Sequence, residues 1–176
     1  MEQKEIGSIY NRAMHYGTIL GALWAVMYLL VFSGTASPLS MMTSIMIYTC
    51  SPFIACRIAT HYRKKERNNT MSYSQAWIFL VIMYVCATLL GTITNYIYLN
   101  HFDQGHFISQ VTTMLAEIQE SPESTPELIE VSKSYTELLS RINTRSLVWH
   151  IMDSDFMNSI ILPTIIAFFV KKENKY

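Results

Sequence analysis

Two short sets of side chains in this sequence could hold a divalent cation. His101, Asp103 and His106 form one, and His150, Asp153 and Asp155 the other. Imidazole nitrogens and carboxylate oxygens are donors for a metal such as zinc, and a helix would put His150 and Asp153 on one face. The two sets can meet only if the elements that carry them are neighbours. Neither set has a two-histidine spacing of an established zinc motif. Histidine and aspartate also gather at helix ends because water is there, and that plainer reading is preferred for all six residues. A metal-dependent enzyme at this surface is the third-ranked class of function.

Other chemistry is thinly represented. There is no glycine-rich phosphate loop, Gly-x-Ser-x-Gly elbow or His-Glu-x-x-His helix. No catalytic residue and no cofactor is expected. Cys50, Cys56 and Cys86 form neither a CxxC pair nor a Cys/His set, and read as small fillers in apolar segments.

The elements that position these residues follow from where charge is missing. No Asp, Glu, Lys or Arg occurs over residues 13–56, nor over 68–102. A soluble fold of this size needs charge on its surface and could not spare such stretches. Crossing roughly 30 Å of hydrocarbon takes about 20 mostly apolar residues. The first run holds two such helices and the second holds one, giving spans at about 14–32, 39–60 and 74–99. A fourth falls at about 149–170. It is awkward, because only residues 156–170 are uncharged, and fifteen residues at 1.5 Å each cover about 22 Å. Asp153 and Asp155 are therefore expected in the boundary region beside Trp149 and His150. The tripeptide Gly34-Thr35-Ala36 offers a cleavage site, but the polar, glutamate-bearing stretch before the first apolar segment argues for a retained span over a leader.

Basic residues set the orientation. Lys4, Arg12, Arg57, Arg63, Lys64, Lys65, Arg67, Lys171, Lys172 and Lys175 fall on one side of these spans, ten of the thirteen Lys and Arg. Only Lys133, Arg141 and Arg145 fall on the other. Positive residues stay cytoplasmic, so both termini and a basic loop at 61–73 are expected inside. The basic run at 63–67 has an attraction for anionic lipid or nucleic acid, but its topological role accounts for it, and no nucleic-acid partner is expected.

Residues 100–146 then lie outside the membrane. They are acidic, and their apolar residues recur at helical spacing. Phe107, Ile108, Val111, Met114, Leu115 and Ile118 form one stripe; Leu128, Val131, Tyr135, Leu138, Leu139 and Ile142 form another. Asp103 can cap the first helix, and Thr125 before Pro126 reads as the start of the second. The expected element is a helical hairpin. Its stripes either pack on each other and on the outer end of the spans, or one of them serves a partner protein. Its acidic polar faces argue against lying on lipid.

Small residues recur four apart in every span: Ala13, Gly17, Gly21 and Ala25; Ser51, Ala55 and Ala59; Ala87, Gly91 and Asn95; Ser159, Pro163 and Ala167. Each set lies on one helix face and lets backbones approach closely. Packing within the chain is preferred, with a homodimer through Gly17 and Gly21 as the other possibility. Pro52 and Pro163 each free a carbonyl four residues back, in Tyr48 and Ser159. Such kinks are usually structural, although they also build gates. No acidic or basic residue lies near the middle of spans one to three, which disfavours ion-coupled transport.

The stretch Ile54-Ala55-Cys56-Arg57, His61-Tyr62-Arg63-Lys64-Lys65 and Met71-Ser72-Tyr73-Ser74-Gln75-Ala76-Trp77 resembles a family of bacterial membrane proteins from Bacteroidetes, the domain of unknown function 4199. A polar outer segment and a last span ending in Lys171-Lys172 extend the likeness over nearly the whole chain. The resemblance implies a bacterial cytoplasmic (inner) membrane location and supplies no activity. The expectation is thus an all-α, multi-pass integral membrane protein, a four-helix bundle with an extracytoplasmic amphipathic hairpin between spans three and four. It would be non-enzymatic, act through protein interactions and offer the hairpin as its partner surface. The alternative is a small transporter or channel for a neutral or small solute through the kinked spans.

Overall fold

The computed structural model describes residues 2–33 and 37–172, and among them six helices: α1 (Glu2–Ser33), α2 (Pro38–Glu66), α3 (Tyr73–His101), α4 (His106–Glu120), α5 (Pro126–Arg141) and α6 (Thr144–Val170). The tripeptide at 34–36 and Lys175 lie outside the described residues. Four helices are long and apolar enough to cross a membrane, within Gly7–Phe32, Leu39–Glu66, Tyr73–His101 and Thr144–Val170. Their outward faces carry Leu39, Met42, Met46 and Phe53 on α2 and Phe168 and Phe169 on α6, all exposed. Water would penalise so much apolar surface, whereas hydrocarbon does not.

Two expected boundaries move. The basic segment expected as a loop at 61–73 is helical through Glu66, so only residues 67–72 connect α2 to α3. Arg63, Lys64 and Lys65 form the last turn of α2, where cations complement the negative end of the helix dipole. The chain turns at Asn68 and Asn69, whose φ of 48° and 61° are left-handed, a region asparagine tolerates. The fourth helix starts at Thr144 and not near 149, because Asn143 caps it, its Oδ1 accepting from the Ser146 amide at 2.8 Å. At 1.5 Å per residue its 27 residues span about 40 Å, of which the uncharged residues 156–170 cover about 22 Å.

α3 lies centrally, packed along α1 on one side and α6 on the other, while α2 rests on α1 and α6. The small-residue faces are the packed faces. A methyl group built on Gly17 would sit 2.7 Å from the Met83 carbonyl oxygen and from Cys86 Cβ, and one on Gly21 would sit 2.7 Å from Leu90 Cδ1. The face that carries Gly17 and Gly21 is therefore covered by α3 of the same chain. Aromatic pairs fill the seams: Tyr62 stacks on Phe79 at 4.5 Å, and Trp24 meets Tyr84 edge-on at 5.8 Å.

α4 and α5 pack on each other as a hairpin. Asp103 holds its start, accepting from the Gly105 amide at 3.1 Å and the Phe107 amide at 3.0 Å, while Gly105 takes a φ of 87°. Thr125 caps α5, accepting from the Leu128 amide at 3.3 Å. Phe107 meets Phe32 edge-on at 5.0 Å and fixes α4 to the end of α1.

Candidate functional site

The inside of the helix assembly is polar where the sequence reads as apolar. Asp155 of α6 is 5% exposed and faces inward, not towards a boundary. Its helix explains why: Asp155 stands four residues before Ser159, and Asp155, Ser159, Pro163 and Ala167 form one buried face. The Tyr28 hydroxyl of α1 donates to the Asp155 carboxylate. Tyr28 is buried, lies over Gly91 and is flanked by Asn95 and Tyr48. One turn along, Ser159 Oγ lies 2.8 Å from Thr88 Oγ1 and also bonds the Asp155 carbonyl. Thr88 is at the middle of α3, so the carboxylate stands about 6 Å from mid-helix, one turn of four residues at 1.5 Å each. Further along, Trp24 Nε1 donates to Ser51 Oγ at 3.0 Å.

This string of groups ties α1, α3 and α6 together, and α1 to α2. It also leaves a loose end. Asn95 is 1% exposed, yet its Oδ1 has no hydrogen-bond partner among the described residues. No ion pair to Asp155 exists among them either. An ionisable side chain held inside apolar helices without a basic partner is costly, and such residues mark proton or solute paths more often than other core positions do. A carboxyl and a phenol sharing one hydrogen bond can hold or pass a proton, or serve as a polar lock between helices.

The six candidate metal ligands do not assemble. Among the described residues no group of three or more His, Cys, Asp or Glu side chains converges. The Asp103 carboxylate is taken up by the backbone amides of the α4 start, and Asp155 by Tyr28. His101 ends α3 and His106 starts α4, while His150 and Asp153 lie two to three turns inside α6; all four are exposed.

At the opposite end of the helices, basic residues form a latch. Arg63 is buried and donates through Nη1 to the carbonyl of Val170, the last residue of α6. Met71 and Lys172 exchange two backbone hydrogen bonds of 2.9 Å. Ser72 and Gln75 complete a reciprocal capping box at the start of α3. Tyr73 Oη donates to the Thr164 carbonyl at 3.2 Å and Trp77 Nε1 to Thr164 Oγ1 at 3.0 Å.

A family model described as "Protein of unknown function (DUF4199)" matches residues 15–172, nearly the whole chain. The chain belongs to the DUF4199 family. No curated protein and no solved structure matches it. The latch residues Arg63, Met71, Ser72, Tyr73, Gln75, Trp77 and Lys172 lie within the matched stretch. They hold the ends of α2, α3 and α6 together.

The remaining distinctive surface is on the hairpin. The α4 stripe, Phe107 to Ile118, is half-buried throughout. The α5 stripe is not covered in the same way: Leu128, Val131, Tyr135 and Leu138 are 46%, 49%, 56% and 56% exposed. α5 meets α4 through a different face, with Ser132 buried and Thr136 Oγ1 accepting from Gln119 Nε2 at 3.2 Å. Small polar residues there allow close approach, which turns the bulky stripe outward. Leu139 and Ile142 of the same stripe are half-buried, so the α5 stripe is open from Leu128 to Leu138 and covered at its end.

Proposed function

We propose that this is a non-enzymatic multi-pass protein of a bacterial inner membrane, a four-helix bundle with both termini cytoplasmic, that acts by binding a partner protein through α5 of an extracytoplasmic hairpin. The carrying observation is the uncovered stripe of Leu128, Val131, Tyr135 and Leu138 on an element outside the candidate spans. Four large apolar side chains in register on one helix match the anchor spacing by which helices dock into grooves. Glu127, Glu130 and Glu137 lie on the same helix, so the partner surface is apolar with a basic rim. Photocrosslinking in cells from a probe at Tyr135 tests this reading: a discrete heterologous adduct is expected. Adducts formed only with lipid, or only with the protein itself, would sink it.

A second reading is a small transporter or channel through the bundle. What favours it is Asp155, an ionisable group inside the fourth span, where the sequence places one only at the boundary. Tyr28, Asn95, Thr88 and Ser159 would line the path with it. Uptake or conductance in proteoliposomes, lost in Asp155→Ala, separates this reading from the first.

A further inference from the structure

We propose that the groove between α3 and α6, at the ends that carry the hairpin, is a binding site for one anionic phospholipid of the surrounding leaflet. The groove has a volume of about 520 Å³, within the ~300–1,000 Å³ of specific ligand sites. Its lining is layered along the two antiparallel helices. Counted from the helix ends, Asn100 and Arg145 come first, Tyr96 and Trp149 with Val148 about one turn in, and Ile93 and Met152 about another turn in. A cation and an amide, then an aromatic pair, then aliphatic side chains follow the order in which a lipid presents phosphate, glycerol ester and acyl chain. No carboxylate lines the groove.

Arg145 is free to take the phosphate. Arg141, one turn before α6, is paired with Glu137 at 2.6 Å, but no ion pair to Arg145 exists among the described residues. A guanidinium presents a planar fork that matches phosphate oxygens in pairs. Below it, Thr92 of α3 also lines the groove. The mixed, charge-bearing rim distinguishes this groove from the purely apolar one of about 260 Å³ under α4, lined by Val31, Met41, Phe107, Val111, Met114 and Leu115.

Native mass spectrometry of the full chain, with phosphatidylglycerol and phosphatidylcholine offered together, reads the site directly. One bound phosphatidylglycerol is expected, preferred about tenfold or more. Arg145→Gln should reduce that preference to near unity, Arg145→Lys, which keeps the charge but not the fork, should keep only part of it, and Arg141→Gln, outside the groove, should leave it unchanged. Equal binding of the two lipids, or undiminished preference in Arg145→Gln, overturns the proposal. So does thermal stabilisation by inorganic phosphate alone to the same extent as by the lipid, which would assign the site to a free anion.

Discussion

Replacing Gly17 by alanine places a methyl carbon 2.7 Å from the Met83 carbonyl oxygen and 2.7 Å from Cys86 Cβ. Carbon contacts are optimal at about 3.5–4.0 Å, so α1 and α3 must separate by several tenths of an ångström or more. One of the obstructing atoms is backbone in the middle of a helix and cannot swing aside. Overpacking of this kind costs about 1–3 kcal/mol. The same substitution gains up to about 1 kcal/mol in helix propensity, leaving a net loss of roughly 0–2 kcal/mol. Gly7 supplies the control, since nothing lies within 4 Å of a methyl group there and only the gain of about 0.5–1 kcal/mol applies. Gly91 falls between them, its new methyl 3.1 Å from the Tyr28 ring. For a chain of this length 1 kcal/mol moves the midpoint by about 2–4 °C. Thermal unfolding in detergent should therefore rank Gly7→Ala above the parent, Gly91→Ala near it, and Gly17→Ala up to several degrees below. The loss should not change on dilution, because the contact lies within one chain. A Gly17→Ala protein that melts with or above Gly7→Ala, or whose loss depends on concentration, would refute the assignment of this face to α3.

The polar core yields a double-mutant cycle in the same assay. Tyr28→Phe leaves a buried carboxyl without its donor and should cost about 1–3 kcal/mol, whereas Tyr28→Phe combined with Asp155→Leu should recover most of that loss; additive losses would mean the two side chains do not interact. Arg63→Met removes a charge-assisted bond to the end of α6 and should lower stability by about 1.5–3 kcal/mol, read as a fall in unfolding temperature. Asp103→Ala unties the start of α4 at a cost near 1 kcal/mol and should make the segment before it a new site of limited proteolysis while the four long helices stay intact. For orientation, a cysteine at Ser134 should react with a membrane-impermeant maleimide in intact cells and one at Lys64 only after lysis; the reverse pattern overturns the proposed topology.

Much of the architecture is legible in the sequence because hydrocarbon imposes a simple rule: long uncharged runs must be helices, and their number follows from their length. The hairpin is legible for a second reason, since Asp103, Thr125 and Pro126 are local signals whose hydrogen bonds close within a few residues. What the sequence does not reveal depends on which face of a helix meets which neighbour. The stripe on α5 has the same spacing as that on α4, and only the close approach at Ser132 decides that it stays uncovered. The end of α2 is misread for a different reason, because a run of lysine and arginine looks like a solvent-exposed loop although nothing in it breaks a helix.

Asp155 escapes a linear reading because charge counting treats a carboxylate as the edge of a span. Face counting leads elsewhere. Ser159, Pro163 and Ala167 are the small residues through which α6 packs, and one further step of four towards the start of the helix lands on Asp155. The same step beyond Ser51, Ala55 and Ala59 lands on Arg63, also buried. In α3 the ladder of Ala87 and Gly91 ends on Asn95, whose side-chain carbonyl oxygen has no partner among the described residues. Close backbone packing excludes lipid from these seams, and a polar side chain that continues a seam is shielded by neighbours instead of facing hydrocarbon. The small residues and the buried polar residues are thus one feature. The ladder creates the protected interior, and the group at its end occupies it. In a chain of this kind a charged residue in register with a small-residue ladder belongs inside the helices, whereas one out of register, such as Asp153, faces outward.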